Sequence, residues 1–222
     1  MNVVIMGPPG VGKGTQSHWI VEDRKIVHIS TGDMLRMAIR RGTELGKKVQ
    51  VVMNAGDLVG DELMMDLIRE RLSQDDAQQG WLLDGFPRTA VQASEFTKLL
   101  QELGQKIDMI LVVRAPADEI VRRLAGRITC RVCNEVMNLV GLGNITPKYC
   151  PFCGNTEDTE RAKPALYQRA DDNEETIRHR LEVFRKKTLP AAWELEENYP
   201  LTEIDGLGTV DEVAIRIADV LE

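Results

Sequence analysis

The first sixteen residues restrict the fold more than any other stretch. Met1–Met6 (MNVVIM) is a short apolar run, and GPPGVGKGTQ follows from Gly7 to Gln16. The run reads as a strand buried on both faces, and Lys13–Glu22 reads as a helix. A glycine-rich turn between the two aims consecutive backbone N–H groups, and the positive end of the helix, at one point. That arrangement suits a phosphate group. The segment fits the pattern GxxxxGK, in which the lysine reaches the outer phosphates of a nucleotide. A plain glycine turn would explain the glycines but not the strand, lysine and helix in that order. One position departs from the pattern. Gly14 stands where Ser or Thr normally holds a metal ion, and the hydroxyl comes one residue later, at Thr15. Gly10, Gly12, Lys13, Gly14 and Thr15 are the candidate nucleotide contacts.

Beyond the loop, short apolar runs alternate with helical patterns. KIVHIS, GWLLDGFPR, Asp108–Val113 and YPLTEIDG read as strands. STGDMLRMAIRRG, TELGKKVQVVMNAG, DELMMDLIRERL, Thr89–Leu103, Pro116–Gly126, DDNEETIRHRLEVFRKK and Val210–Leu221 read as helices. Ser30 and Asp33 have the spacing of a capping box. Such alternation predicts an α/β fold, a parallel sheet flanked by helices. The pattern breaks from about 127 to 168, where paired cysteines, NITPKY and GNTEDTE show no helical period. The break marks a small inserted module. The net charge of −7 argues against a general nucleic-acid or anionic-membrane binder. No apolar run approaches the ~18 residues of a membrane span. The amino terminus lacks a basic segment followed by a long apolar core, so a cytoplasmic location is expected.

Without a hydroxyl at position 14, the metal partner of a nucleotide must be sought elsewhere. Mg²⁺ keeps several waters and takes phosphates plus one or two carboxylates. Asp84 ends an apolar strand, where α/β sheets place ligand-binding groups. Asp33 is the second candidate, and a helix cap is the competing reading for it.

All four cysteines fall between 130 and 153. Cys130 and Cys133 are spaced CxxC, and Cys150 and Cys153 repeat the spacing after 16 intervening residues. That is the ligand spacing of a zinc ribbon, and four thiolates close a tetrahedral Zn²⁺. Two disulfides and an iron site are the alternatives. A zinc ribbon also admits a non-enzymatic nucleotide-binding protein that contacts nucleic acid, although the acidic GNTEDTE does not favour one.

GPPGVGKGTQ, STGDMLR and LLDGFPRT, in that order and spacing, closely resemble the adenylate kinases, and RADDNEETIRHRL resembles the lid-closing segment of that family. The likeness runs through most of the chain and returns after the cysteine module. It implies the nucleoside monophosphate kinase type of P-loop fold, with a core of 1–30, 61–126 and 165–222, a helical AMP-binding insert at 31–60 and a zinc-stapled lid at 127–164. The activity implied is reversible transfer from MgATP to AMP, giving two ADP. The nucleotides are then the partners of a monomeric protein, and lysine-glycine-threonine is the family's own form of the loop. Related kinases with another acceptor, or with a GTP donor, stay open as alternatives. The resemblance places AMP near Thr31, Arg36, Val59, Gly85, Arg88 and Gln92. It gathers Arg123, Arg127, Arg169 and Arg180 around the transferring phosphoryl group, with Arg123 and Arg127 also at ATP and Arg169 and Arg180 also at AMP. Arg36 and Arg88 suit bidentate phosphate contacts. Arg123 and Arg127, four apart, are expected on one helical face, and so are Arg88 and Gln92. Arg180 is expected on the shoulder of the apolar stripe Ile177, Leu181, Phe184, with Arg178 and His179 in solvent. Asp171 and Asp172 are read as helix caps or as partners that orient these arginines.

Overall fold

In the computed structural model, residues 1–139, 147–158 and 163–222 are described. The stretches 140–146 and 159–162, and with them the first half of NITPKY and the end of GNTEDTE, lie outside the described residues.

The chain starts with β1 (Asn2–Met6), passes the glycine loop into α1 (Lys13–Arg24) and returns as β2 (Val27–Ser30). Helices α2 (Thr31–Arg40), α3 (Glu44–Ala55) and α4 (Asp61–Leu72) follow. Then come β3 (Trp81–Asp84), α5 (Ala90–Glu102), β4 (Met109–Arg114) and α6 (Ala117–Ala125). The cysteine module contributes β5 (Arg127–Cys130), β6 (Val136–Asn138), β7 (Glu157–Asp158), β8 (Lys163–Pro164) and β9 (Leu166–Tyr167). The chain ends with α7 (Glu174–Val183), α8 (Leu189–Glu196), β10 (Leu201–Asp205) and α9 (Val210–Leu221).

The main sheet has the order β10–β4–β1–β3–β2, and every pairing in it is parallel. Parallel neighbours need crossovers, and the helices supply them on both faces. Alternate residues of β1 therefore enter two different cores. Val3 and Ile5 join Ile20 of α1 and Ile217 and Leu221 of α9. Val4 and Met6 join Phe96 and Leu100 of α5 and Leu195 of α8. This explains why the strand has no polar face. From β1 the chain goes outward to β2, comes back to β3, and then crosses to β4 on the other side of β1. That reversal leaves a crevice at the carboxyl ends of the central strands. The register pairs Ile5 with Asp84 and Met6 with Val112, so the glycine loop and Asp84 open into the same crevice.

The cysteine module is a separate three-stranded sheet in the order β6–β5–β9, with β7 and β8 as a short antiparallel pair. It begins earlier than helical spacing suggests. Helix α6 stops at Ala125 and caps at Gly126, so Arg127 is the first residue of β5 and does not share a helix with Arg123. Arg88 likewise precedes its helix, because Thr89 caps α5 by accepting from the backbone of Gln92. Helix α7 is capped by Asn173, whose side chain accepts from Thr176 N at 2.9 Å. Asp171 and Asp172 are thereby free for other partners. The sequence reading assigns no helix to LPAAWELE. Here a π-helical turn, Phe184–Thr188, carries α7 into α8, whose Pro190 sits in the first turn where its missing N–H costs nothing. No helix among the described residues is long and apolar enough to cross a membrane.

Candidate active site

Gly12 caps α1 at φ 108 with no side-chain cap, so the first N–H groups of the helix stay open to an anion. Packing below fixes the loop. A Cβ on Gly10 would lie 2.4 Å from Leu124 Cγ, and Gly10 also has φ +80. Lys13 curls over the loop and donates to the carbonyls of Gly7 (2.9 Å) and Pro8 (3.0 Å), which uses two of its three donors. Desolvation lowers its pKa to about 8; Asp84 opposes the shift, and Arg88, Arg180 and Arg127 add to it. Gly14 and Thr15 lie exposed in the first turn of α1.

Two clefts open beside this loop. The first, about 540 Å³ with the solvent at its mouth included, is walled by Gly7, Pro9, Lys13, Gly85, Arg88 and Arg180 among others. The second, about 580 Å³ on the same measure, is lined by Thr31, Arg36, Val59, Arg88, Gln92 and Arg180. Arg88, Arg180, Gly56 and Leu58 belong to both walls, so the two clefts meet at a pair of arginines.

Local bonds hold the second cleft in shape. The Thr31 hydroxyl donates to the carbonyl of Gly85 at 2.9 Å, and Arg88 Nε donates to the same carbonyl at 2.7 Å. Gln92 is 1% exposed; its Oε1 accepts from Arg88 N at 2.7 Å and its Nε2 donates to Asp61 at 2.8 Å. Arg88 and Gln92 are thus joined across the helix start, not stacked along one face. Asp61 also accepts from Thr89. It is a partner that the sequence reading missed, because an acidic residue in a first helical turn looks like an ordinary dipole contact. Asp33 does not complete a capping box. Ser30 accepts from Asp33 N, but the Asp33 carboxylate faces Arg36, whose Nη2 donates to it at 2.7 Å. Burial works against that carboxylate, yet Arg36 outweighs it and holds Asp33 below the ordinary range.

The remaining arginines gather on the far side. Asp171 accepts from Arg180 at 2.6 Å, and Asp172, 4% exposed, takes Arg127 in two hydrogen bonds, the Nε one at 2.8 Å. Arg169 donates from Nε to Thr129 Oγ1 at 3.0 Å. Burial, Arg36 and Arg127 push its pKa down to about 9, and burial likewise brings Arg180 to about 10. Both stay charged at neutral pH. Burial opposes the Asp171 carboxylate, but Arg180, Arg127 and Arg169 hold it below the usual range. Arg123 stands apart, donating to Glu119 and to the carbonyls of Val11 and Gly206 beside the glycine loop. Arg123, Arg127 and Arg169 line neither cleft. His179 is not simply solvated, since Asp57 lies 2.7 Å from its Nε2. Arg178 is solvated as expected, on Glu174.

The cysteines converge. Cys130 and Cys153 sulfurs are 3.8 Å apart, Cys133 and Cys150 3.6 Å, and all four Sγ atoms lie within 4.8 Å of one another. These distances are far beyond the ~2.05 Å of a disulfide. They match the ~3.8 Å edge of a tetrahedron drawn with ~2.3 Å zinc–sulfur bonds. The cluster is compatible with zinc.

A glycine loop at the carboxyl end of β1, two clefts that share arginines and a four-sulfur cluster coincide in one chain. The family model for adenylate kinase matches residues 5–196. The chain belongs to the adenylate kinase family. It is 42% identical over 222 residues to the adenylate kinase of Paracoccus denitrificans (strain Pd 1222), covering 100% of this chain and 97% of the relative. It is 44% identical over 221 residues to that of Geobacillus sp. (strain WCH70), covering 100% and 98%. With the adenylate kinase of Archaeoglobus fulgidus the identity is 41% over 222 residues, covering 100% and 98%.

Proposed function

We propose that this adenylate kinase family member transfers a phosphoryl group reversibly from MgATP to AMP, giving two ADP. The observation that carries the reading is the pair of clefts with common walls at Arg88 and Arg180, one beside Lys13 and one beside Thr31 and Gln92. Two anionic nucleotides bound there would meet end to end across the arginines. In-line transfer of this kind needs alignment and neutralised charge, not a covalent nucleophile. The AMP phosphate brings its own attacking oxygen, so the protein supplies no general base. Gly10, Gly12, Gly14 and Thr15 cradle the ATP phosphates, and Lys13 neutralises the charge that builds during transfer. Arg36 and Arg88 bind the AMP phosphate, and Thr31, Val59, Gly85 and Gln92 hold the rest of that nucleotide. Arg123, Arg127, Arg169 and Arg180 close around the transferring group. Residues 31–60 form the AMP-binding insert and 127–164 a lid that excludes water.

Magnesium, carried in with ATP, would offset the charge of the phosphates. Asp84 is the better carboxylate to hold it through waters, because Asp33 is engaged with Arg36 and aims that arginine. Zinc, held by Cys130, Cys133, Cys150 and Cys153, would staple the lid and leave no open position for chemistry. The same reading takes the protein as a cytoplasmic monomer that acts on free nucleotides, without nucleic acid or membrane.

The test is a coupled ADP-formation assay with MgATP and a panel of acceptors. AMP should exceed UMP, CMP and GMP by ~10²-fold or more, because a site built on base hydrogen bonds rejects mismatched edges. Comparable rates with UMP would move the chain to the pyrimidine kinases, and no transfer at all would leave a nucleotide-binding module.

A further inference from the structure

We infer that Thr129 is a positioning residue that ties the lid sheet to Arg169 and aims its guanidinium. The inference rests on the role proposed above for Arg169. Thr129 lies in the middle strand of the module, paired with Val136 on one side and Tyr167 on the other. It is 2% exposed, and its neighbour in the strand is the cluster cysteine Cys130. A hydroxyl buried in a sheet needs a partner. Its Oγ1 accepts from Arg169 Nε at 3.0 Å. Arg169 follows β9 by two residues, at the point where the chain leaves the module.

The choice of nitrogen matters. A guanidinium carries five N–H donors in a rigid plane, and fixing Nε sets the direction in which the two terminal nitrogens point. Those nitrogens make no hydrogen bond or ion pair among the described residues, whereas Arg127 and Arg180 are held by Asp172 and Asp171. Arg169 also lies close enough to Arg36 and Arg127 to be repelled by both. Asp171 attracts it in turn, but no carboxylate among the described residues pairs with it directly, so the Thr129 hydroxyl is the group that fixes its direction. A carboxylate would hold it too, but would compete with phosphate for its charge. A hydroxyl holds the stem side and leaves the fork unspent for an anion. Because Thr129 belongs to the sheet that carries the four cysteines, movement of that sheet carries Arg169 with it.

Thr129→Val keeps the branched shape and removes the hydroxyl. It should lower kcat/KM for AMP phosphorylation about tenfold and weaken equilibrium binding of diadenosine pentaphosphate by a similar factor, with zinc content and melting temperature near parental. Thr129→Ser, which restores the acceptor, should recover most of the loss. Arg169→Ala should lose at least about a hundredfold, and adding Thr129→Val to it should change nothing further, since the hydroxyl acts only through that arginine. Parental kcat/KM in Thr129→Val beside an inactive Arg169→Ala would overturn the positioning role alone. An equal loss from Thr129→Val in both backgrounds, or no rescue by Ser, would reduce Thr129 to packing and overturn it as well. An active Arg169→Ala would instead overturn the role given to the arginine, and the inference with it.

Discussion

Around β1 the core sinks Val3, Val4, Ile5 and Met6 into two layers of helices, each residue no more than 3% exposed. Around Cys130 the module has a far smaller interior, with Ile128, Met137 and Ala165 packed beside the sulfurs of Cys130 and Cys150. Each large aliphatic side chain buried in the core contributes roughly 1.5–3 kcal/mol, and there are dozens of them. A module of about forty residues cannot gather enough such area to offset its chain entropy. A closed metal shell on the four cysteines, as proposed above, would replace that missing area by binding the folded form alone. The chemistry divides in the opposite sense. The core keeps Lys13 half-buried at a rigid strand–helix turn, whereas the module brings arginines whose positions depend on where its sheet sits. The comparison sets up a division to test: Lys13 is expected to serve the reaction without holding the core together, and the four-cysteine cluster to hold the module together without entering the chemical step.

The strongest way to break that division is Lys13→Met. It removes the ammonium of the glycine loop, proposed above to neutralise the transferring group, and keeps an unbranched apolar stem in its place. AMP phosphorylation should fall at least ~10²-fold while the melting temperature barely moves. Near-normal turnover in the folded variant would remove the glycine loop from the reaction.

Cys150→Ser applies the opposite stress. One zinc per chain in native mass spectrometry, lost in the variant, is the first expectation. Protease cleavage between about 127 and 164 should rise and the unfolding temperature should drop. At a temperature where the variant is folded, turnover should stay within about tenfold of the parent, small beside the loss expected for Lys13. A zinc-free variant with an ordered lid and no activity would mean that the metal takes part in the chemical step.

The smallest effect sharpens the picture of Lys13 itself. Burial lowers its pKa from 10.5 to about 8, and a bound polyphosphate favours the protonated form. Below about pH 8 the free protein already carries the proton, and ATP affinity should be nearly flat. As pH rises through 8, binding must first restore the proton, so affinity should fall and calorimetry in buffers of different ionisation enthalpy should show proton uptake. Affinity that holds constant to pH 10 would contradict a desolvated lysine at the phosphates.

The glycine loop, the strand–helix alternation and the CxxC pairs were legible in the sequence because each is a local pattern, complete within about twenty residues. Backbone sterics, periodicity and ligand spacing act at that range, and they sufficed for the parallel sheet, for Lys13 and for the four-cysteine cluster. The partners of the arginines were legible only in part: Asp171 and Asp172 were read as caps or as partners, without a choice between the two or an assignment to a particular arginine. Arg123 and Arg127 are four apart, yet Gly126 ends α6 between them, and one goes to Gly206 while the other goes to Asp172. Asp171 and Asp172 gave up the cap to Asn173, a competition settled by a single hydrogen bond. Thr129 and Arg169 are 40 residues apart, and only the pairing of β5 with β9 brings them into contact. A charged side chain of this length can reach several partners, and the sequence does not rank them. The tertiary structure does, because it decides which carboxylates and hydroxyls are buried beside each guanidinium, and a buried polar group takes the partner within reach.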